Sequence, residues 1–247
     1  MTQNFKITIE YDGSRYHGWQ RQKRDHSIQA EIEMALEKMT STKVTLVGSG
    51  RTDAGVHAAG QVANFKCDTR LAPAAFFSGL NSLLPEDIII KDCERVATNF
   101  HARYDARSKI YHYKILNRSV PAAIGRQYVW FIRKPLDRQM IRAAIAHIIG
   151  RHDFKAFEGS GSPRQDTTRE VFSANLIEDP GGILLFEIEA EGFLRYMVRN
   201  IVGTLVDVGL GKIAAADFKK ILDSRDRAQA GMTAPAKGLT LVKVNYR

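Results

Sequence analysis

The sequence predicts an α+β protein of two tandem βαββαβ (ferredoxin-like) units, their antiparallel sheets joined into one extended sheet with helices on one face and a wide cleft on the other. Two observations carry this expectation. Period-two segments and helical stripes follow one another in the same order in each half of the chain. The 247 residues, 44% of them apolar, are also enough for one large domain or two small ones. The first unit is expected over residues 1–104 and the second over 105–247.

Phe5, Ile7, Ile9 and Tyr11 alternate with Lys6, Thr8 and Glu10, the pattern of a strand with one buried face. After a glycine-bearing loop, Ser27 is placed to cap a helix whose Ile28, Ile32, Ala35, Leu36 and Met39 share a side. Short strands near 43–48 and 62–67 enclose a polar glycine-rich loop. Pro73 suits a helical first turn, Phe76, Phe77, Leu80, Leu83 and Leu84 give that helix its apolar face, and Ile88 to Val96 reads as a strand. The second half opens with a strand from Lys109 to Leu116, on which Tyr111, Tyr113 and Ile115 share a face. A helix begins near Asp137 and is expected to stop at Gly150. Strands near 168–177 and 183–190 flank the Pro180-Gly181-Gly182 turn. A stripe from Leu194 to Val206 marks a helix, a shorter one follows near 214–222, and a strand closes the chain from Leu239 to Val244.

The formal charge of +9 favours polyanionic partners, nucleic acid or an anionic membrane surface. Cys67 and Cys93 form no C-x-x-C pair, so neither a disulfide framework nor a cysteine zinc site is indicated, and a reduced, cytoplasmic setting fits best. No apolar run approaches the roughly 20 residues that span a bilayer. The histidines, His57, His101 and His112 among them, lack the spacing of a zinc site.

Polar chemistry is most concentrated in Gly48-Ser49-Gly50-Arg51-Thr52-Asp53-Ala54-Gly55-Val56-His57, between two strands. Its glycines permit positive φ and close approach of backbone to a ligand. Read from the residues alone, it is either a structural turn across which Arg51 and Asp53 pair or a loop that presents a carboxylate held anionic by a guanidinium. The first loop interleaves Arg15, Arg21, Lys23 and Arg24 with Tyr16, His17 and Trp19, a mixture suited to RNA and equally to a solvated loop with a half-buried indole.

Gly50-Arg51-Thr52-Asp53-Ala54-Gly55-Val56-His57-Ala58 resembles the signature of the TruA-type tRNA pseudouridine synthases. Tyr11-Asp12-Gly13 with Gly18-Trp19-Gln20-Arg21-Gln22 is similar to that family's first loop, and Phe100-His101-Ala102-Arg103 with Tyr111 and Tyr113 to its central segment. Met197-Val198-Arg199-Asn200-Ile201-Val202-Gly203 and Ala234-Pro235-Ala236-Lys237-Gly238-Leu239 are similar to its C-terminal blocks. Five blocks in the family's order span nearly the whole chain. The resemblance implies the pseudouridine synthase fold with a catalytic cleft, and isomerisation of uridine to pseudouridine at positions 38, 39 and 40 of the tRNA anticodon stem-loop. It implies a homodimer that needs neither metal nor cofactor.

By the same resemblance Asp53 is the catalytic carboxylate, Arg51 its partner and Arg199 a second cation in electrostatic support. Tyr111 lies against the target base, with a possible part in proton transfer, and Leu239 lies on the base's other side. Arg15, Tyr16, Trp19, Gln20, Arg21 and Arg103 are expected to bind the RNA. The Ser160 to Thr168 segment and Arg133-Lys134 depart from the family pattern. Three routes stay open for the carboxylate: attack at C1′ of the ribose, attack at C6 of the uracil, or removal of the 2′ proton. A glycosidase would usually need two carboxylates and an attacking water, whereas this motif offers one. Rival readings are a non-catalytic basic RNA-binding protein and a nucleoside hydrolase or nuclease.

Overall fold

The computed structural model describes residues 2–22, 25–159, 161 and 165–246. The chain folds into two units, residues 1–107 with 241–247, and residues 108–240.

In the first unit the order is β1 (Thr2–Tyr11), α1 (Ile28–Thr40), β2 (Leu46–Gly48), β3 (His57–Asp68), α2 (Pro73–Leu83) and β4 (Ile88–Val96). This is the expected βαββαβ order. Strand β1 lies between β4 and β3 and is antiparallel to both, and β2 pairs antiparallel with the far side of β3. The alternation read in β1 is realised: Phe5, Ile7, Ile9 and Tyr11 are all buried. Phe5 stacks on Phe65 of β3 with centroids 5.3 Å apart, and Phe76 of α2 packs against both rings at 4.8 and 5.1 Å. That aromatic trio fastens helix to sheet, each pair adding about 0.5–1.5 kcal/mol beyond area burial.

Strand β3 begins five residues earlier than its sequence suggests. His57-Ala58-Ala59-Gly60 has little strand propensity, and its pairing with β1 extends back to Ala58, opposite Tyr11. Ser27 occupies the N-cap position of α1 in extended backbone, yet its hydroxyl makes no capping bond and is buried without a hydrogen-bond partner among the described residues. The reason is a tertiary contact. The amides of Ile28 and Gln29 donate to the carbonyls of Gly18 and Trp19, so the first loop does the capping that the serine was expected to do.

The second unit runs β5 (Ser108–Asn117), β6 (Trp130–Ile132), α3 (Arg138–Ile145), β7 (Gly150–Asp153), β8 (Thr168–Glu178), β9 (Ile183–Ala190), α4 (Met197–Gly209) and α5 (Ala215–Ser224). Strand β10 (Leu239–Asn245) starts here and finishes in the first unit. Strands β5, β9, β8 and β7 lie side by side in antiparallel register, with β6 parallel to β5. Strands β6 and β7 are additions to the expected pattern. With three and four residues, they are too short to show alternation and owe their form to the neighbours they pair with. Gly150 does mark the end of the helical stretch: α3 tightens into a 3-10 turn over Ala146–Ile148 with Ile149 as its C-cap, and Gly150, at φ +97°, follows and opens β7.

The core of this unit lies under α4, where Met197, Val198, Ile201, Val202 and Leu205 are buried with Ile141, Ala144 and Ile145 of α3. The helix expected to begin near Asp137 does so, and Asp137 caps it, its Oδ1 accepting the Met140 amide at 3.0 Å. Asp137→Ala is expected to cost about 1 kcal/mol, seen as a fall of about 2–4 °C in the calorimetric melting temperature.

Candidate active site

Within the first unit, the loop between β2 and β3 is braced at nearly every residue. The Ser49 amide donates to the Val62 carbonyl at 2.7 Å, and Ser49 Oγ donates to Gln61 Oε1 at 2.6 Å. Gln61 Nε2 reaches back to the Gly50 carbonyl. The Val56 amide closes a turn on the Asp53 carbonyl at 3.1 Å, for which Gly55 takes φ +76°. Asp53 stands at the head of that turn, half-buried, between buried Thr52 and exposed Ala54.

The first loop, residues 12–22, is the other half of this construction. Its Trp19 amide donates to the Thr52 carbonyl at 3.1 Å, and the Gly55 amide donates to the Tyr16 carbonyl at 3.3 Å. The Tyr11 hydroxyl and Thr52 Oγ1 share a hydrogen bond of 2.7 Å in full burial, and that burial pushes the Tyr11 phenol well above its ordinary range. His57 Nδ1 lies 3.1 Å from the Gly13 amide and 3.0 Å from Asp12 Oδ1. At Gly18, φ is +93° and a side chain would press on the Thr52 carbonyl. Two sequence blocks thirty residues apart are therefore one object, held to the start of α1 by the Gly18 and Trp19 carbonyls.

Tyr11→Phe tests the bracing. It leaves Thr52 Oγ1 buried without its partner, a loss of about 1–2 kcal/mol, and the melting temperature should fall by about 2–8 °C.

Several residues expected at the RNA have intramolecular duties here. Trp19, 2% exposed, packs its indole on Gly48 and beside Tyr11. Tyr16 is buried, and its hydroxyl donates to Asp87 Oδ1 at 2.6 Å. Neither ring is presented to solvent, so for these two the structure replaces the expected RNA contact with a loop-shaping role. This burial leaves no local trace in the sequence, because the surface that covers Trp19 comes from Gly48, far along the chain. Arg15 bonds Asp87 through Nε and Nη2, Arg21 bonds Glu33 at 2.7 Å, and Gln20 bonds Gln29 at 2.6 Å. The Arg15 and Arg21 side chains are still 73% and 58% exposed. Lys23 and Arg24 lie outside the described residues, as do Ser160 and residues 162–164.

Arg51 is exposed.

In the second unit, Tyr111 and Tyr113 share a face of β5. Tyr111 is nearly buried and meets Phe193 edge-on at 5.0 Å, while Tyr113 is fully buried and donates to the Pro235 carbonyl at 2.7 Å. Arg199, half-buried on α4, donates through Nε to the Ala234 carbonyl at 2.8 Å. Strand β5, helix α4 and the Ala234–Leu239 segment are thereby drawn into one cluster, and Leu239 is buried in it at the start of β10. Tyr196, which the sequence does not mark, sits at the N-terminus of α4 with φ +61°, an uncommon setting for a residue with a side chain. The guanidiniums of Arg195 and Arg199 lie 4.6 and 5.0 Å from its ring.

These features define a class: a basic α+β protein with one half-buried carboxylate on a loop braced from both sides. The model of the family described as tRNA pseudouridine synthase matches residues 7–105 and 144–247. Proteins named tRNA pseudouridine synthase A are 46% identical in Acetivibrio thermocellus and 43% identical in Clostridium acetobutylicum, each over 98% of this chain and 99% of the relative. The chain belongs to the tRNA pseudouridine synthase family. The solved complex of Cbf5 with Nop10 and Gar1 is similar at 13% identity and a TM-score of 0.39, over 96% of this chain and 57% of that one, and nothing below rests on it.

Proposed function

We propose that the protein isomerises uridine to pseudouridine in tRNA, at positions 38, 39 and 40 of the anticodon stem-loop, with Asp53 as the carboxylate at the reacting ribose or base. The observation that carries this reading is Asp53 itself, half-buried at the head of a turn in the segment that resembles the family's signature, on a loop braced through Thr52, Gly55 and Val56. Such bracing spares the enzyme the entropy of ordering the loop at the moment of reaction. The bond from C1′ to N1 breaks and one from C1′ to C5 forms, while C5 loses a proton and N1 gains one, so no redox partner or energy source is needed. Any of the three routes left open above satisfies that balance.

Tyr111 is proposed to lie against the target uracil and to assist removal of the C5 proton, with Leu239 on the base's other side. Arg199 is proposed to support the carboxylate electrostatically. Arg51 is proposed to act on the carboxylate or on RNA once substrate is bound, with Arg15, Gln20, Arg21 and Arg103 meeting RNA backbone. A uridine in a stem must be turned out to be reached, at a cost of a few kcal/mol that phosphate contacts offset. The proposed working form is a cytoplasmic homodimer.

The test is incubation with unmodified tRNA transcripts, followed by carbodiimide mapping of pseudouridine. Modification is expected at uridines 38–40 and is expected to vanish when those uridines are replaced by cytidines. Released uracil would point to a hydrolase, a cut strand to a nuclease, and tight binding with unchanged RNA to a passive binding protein.

A further inference from the structure

The turn that joins the first unit's β4 to β5, residues 97–105, is held with unusual thoroughness for a surface connection. Asn4 of β1 and Asn64 of β3, both almost completely buried, are committed to it. Asn4 Nδ2 donates to the carbonyls of Ala97 and Phe100 at 3.0 and 2.9 Å. Asn64 Oδ1 accepts the Ala102 amide at 2.8 Å, and the Tyr246 hydroxyl donates to the Ala102 carbonyl at 2.6 Å. His101 Nδ1 accepts the amides of Arg103 and Tyr104, and Asp105 accepts that of His101. Burying two amide side chains is costly unless every group is bonded, and here Asn64 Nδ2 donates to Asn4 Oδ1 at 3.0 Å while the remaining bonds fix one short turn.

What this turn presents is Tyr104. The residue is 74% exposed, its ring centroid is 4.2 Å from that of His101 at an interplanar angle of 34°, and the Arg103 guanidinium is 5.6 Å from the ring. Arg103 is exposed, as is Arg107, three residues beyond Tyr104 along the chain. A flat aromatic surface backed by a second ring, flanked by cations and held by a rigid turn, has the chemistry of a stacking platform for an unpaired base and its phosphates. The chain's charge of +9 favours a polyanion, and a stacking surface favours a nucleic acid over an acidic peptide, in which stacking partners are rare.

We propose that Tyr104, backed by His101, stacks on an unpaired nucleobase of the RNA substrate while Arg103 meets an adjacent phosphate, a binding site separate in function from the Asp53 loop. The proposal rests on the tRNA reading above. Because the turn is already ordered, little freedom is lost on binding and most of the stacking energy appears as affinity.

Equilibrium binding of unmodified tRNA transcript to the full protein, by fluorescence anisotropy between about 50 and about 200 mM salt, is the test. Tyr104→Ala should bind about tenfold more weakly with the salt dependence unchanged, because stacking releases no counterions. Tyr104→Trp should bind as wild type. Arg103→Ala should instead lower the salt slope by about one. Since Tyr104 is largely exposed, the melting temperature of these variants should match wild type. Binding by Tyr104→Ala within twofold of wild type would overturn the platform, and so would an equal loss in Tyr104→Trp. Pseudouridine is mapped in the same preparations to keep the two ideas apart. A wild type that modifies tRNA while Tyr104→Ala binds normally sinks the platform alone. A tenfold binding loss in Tyr104→Ala with no pseudouridine made by wild type upholds the platform and sinks the activity.

Discussion

Asp53→Asn is expected to lower the single-turnover rate of pseudouridine formation by at least about a thousandfold, while tRNA binding stays within a few-fold of wild type. The substitution keeps shape and removes basicity, and an amide can neither attack C1′ or C6 nor accept the 2′ proton. The loop should keep its form, because its bracing runs through its neighbours: the Thr52 carbonyl on the Trp19 amide, Thr52 Oγ1 on Tyr11, and the Gly55 amide on the Tyr16 carbonyl. Binding is spared for a separate reason. Affinity for RNA is dominated by neutralised phosphates, and removing one negative charge from a chain of net charge +9 takes nothing from that term. Release of tritium from C5-labelled uridine gives the rate and anisotropy gives the affinity. An activity within tenfold of wild type, or a binding loss large enough to account for the whole defect, would remove Asp53 from the centre of the reaction.

The readings that held and those that failed divide along a physical line. Strand β1, helix α2 and strand β4 were legible because each runs for nine or more residues with one face buried, so the periodicity of the chain reports its environment directly. Strands β6 and β7 have no period of their own to show. The Ser27 cap failed for a related reason: the helix start is served by carbonyls from residues 18 and 19, and a cap made by tertiary contact leaves the serine's identity uninformative. Trp19 and Tyr16, set among arginines, read as an RNA-facing pair, yet their burial depends on Gly48 and Asp87. The motif that holds Asp53 stood out as polar and glycine-rich. Its bracing by Tyr11 did not, since a tyrosine at the end of an alternating strand looks like core until Thr52 is seen opposite its hydroxyl.

The same interlocking explains why the chain's distinctive blocks occur as sets. In the second unit, Asn200 of α4 accepts from Thr233 Oγ1 at 2.6 Å and from Arg227 Nη2 at 3.0 Å, and donates to the Phe157 carbonyl at 2.8 Å. Arg227 in turn holds the carbonyls of Ala230 and Gly231. A block around residue 200 is thus meaningful only with one around 230, as the block around residue 15 is meaningful only with the one around 52. Each unit presents its polar residues from a surface whose shape is fixed by a partner segment distant in sequence, and stability and activity should therefore fail together when such a joint is opened.

Gly18→Ala opens the joint nearest Asp53 and should do both. At φ +93° an alanine is strained by about 1–3 kcal/mol. Its Cβ would also stand 2.6 Å from the Thr52 carbonyl oxygen and 3.0 Å from the Asp53 carbonyl carbon, backbone atoms that cannot swing aside as a flexible side chain can. Relief requires the two loops to part, which breaks the bond from the Trp19 amide to Thr52 and moves Asp53 with it. A combined loss of about 3 kcal/mol or more follows from strain plus overpacking, with a fall in melting temperature of about 6–12 °C. The protein that remains folded should still turn over about a hundredfold more slowly, since a displacement near 1 Å at a reacting group costs that much. Gly125→Ala supplies the control: its φ of +73° carries the same kind of backbone strain, but a Cβ there meets nothing within 4 Å. It should cost only about 1 kcal/mol and leave the rate unchanged. If the two alanine variants melt and turn over alike, the contact between the first loop and the Asp53 loop is not what positions the carboxylate.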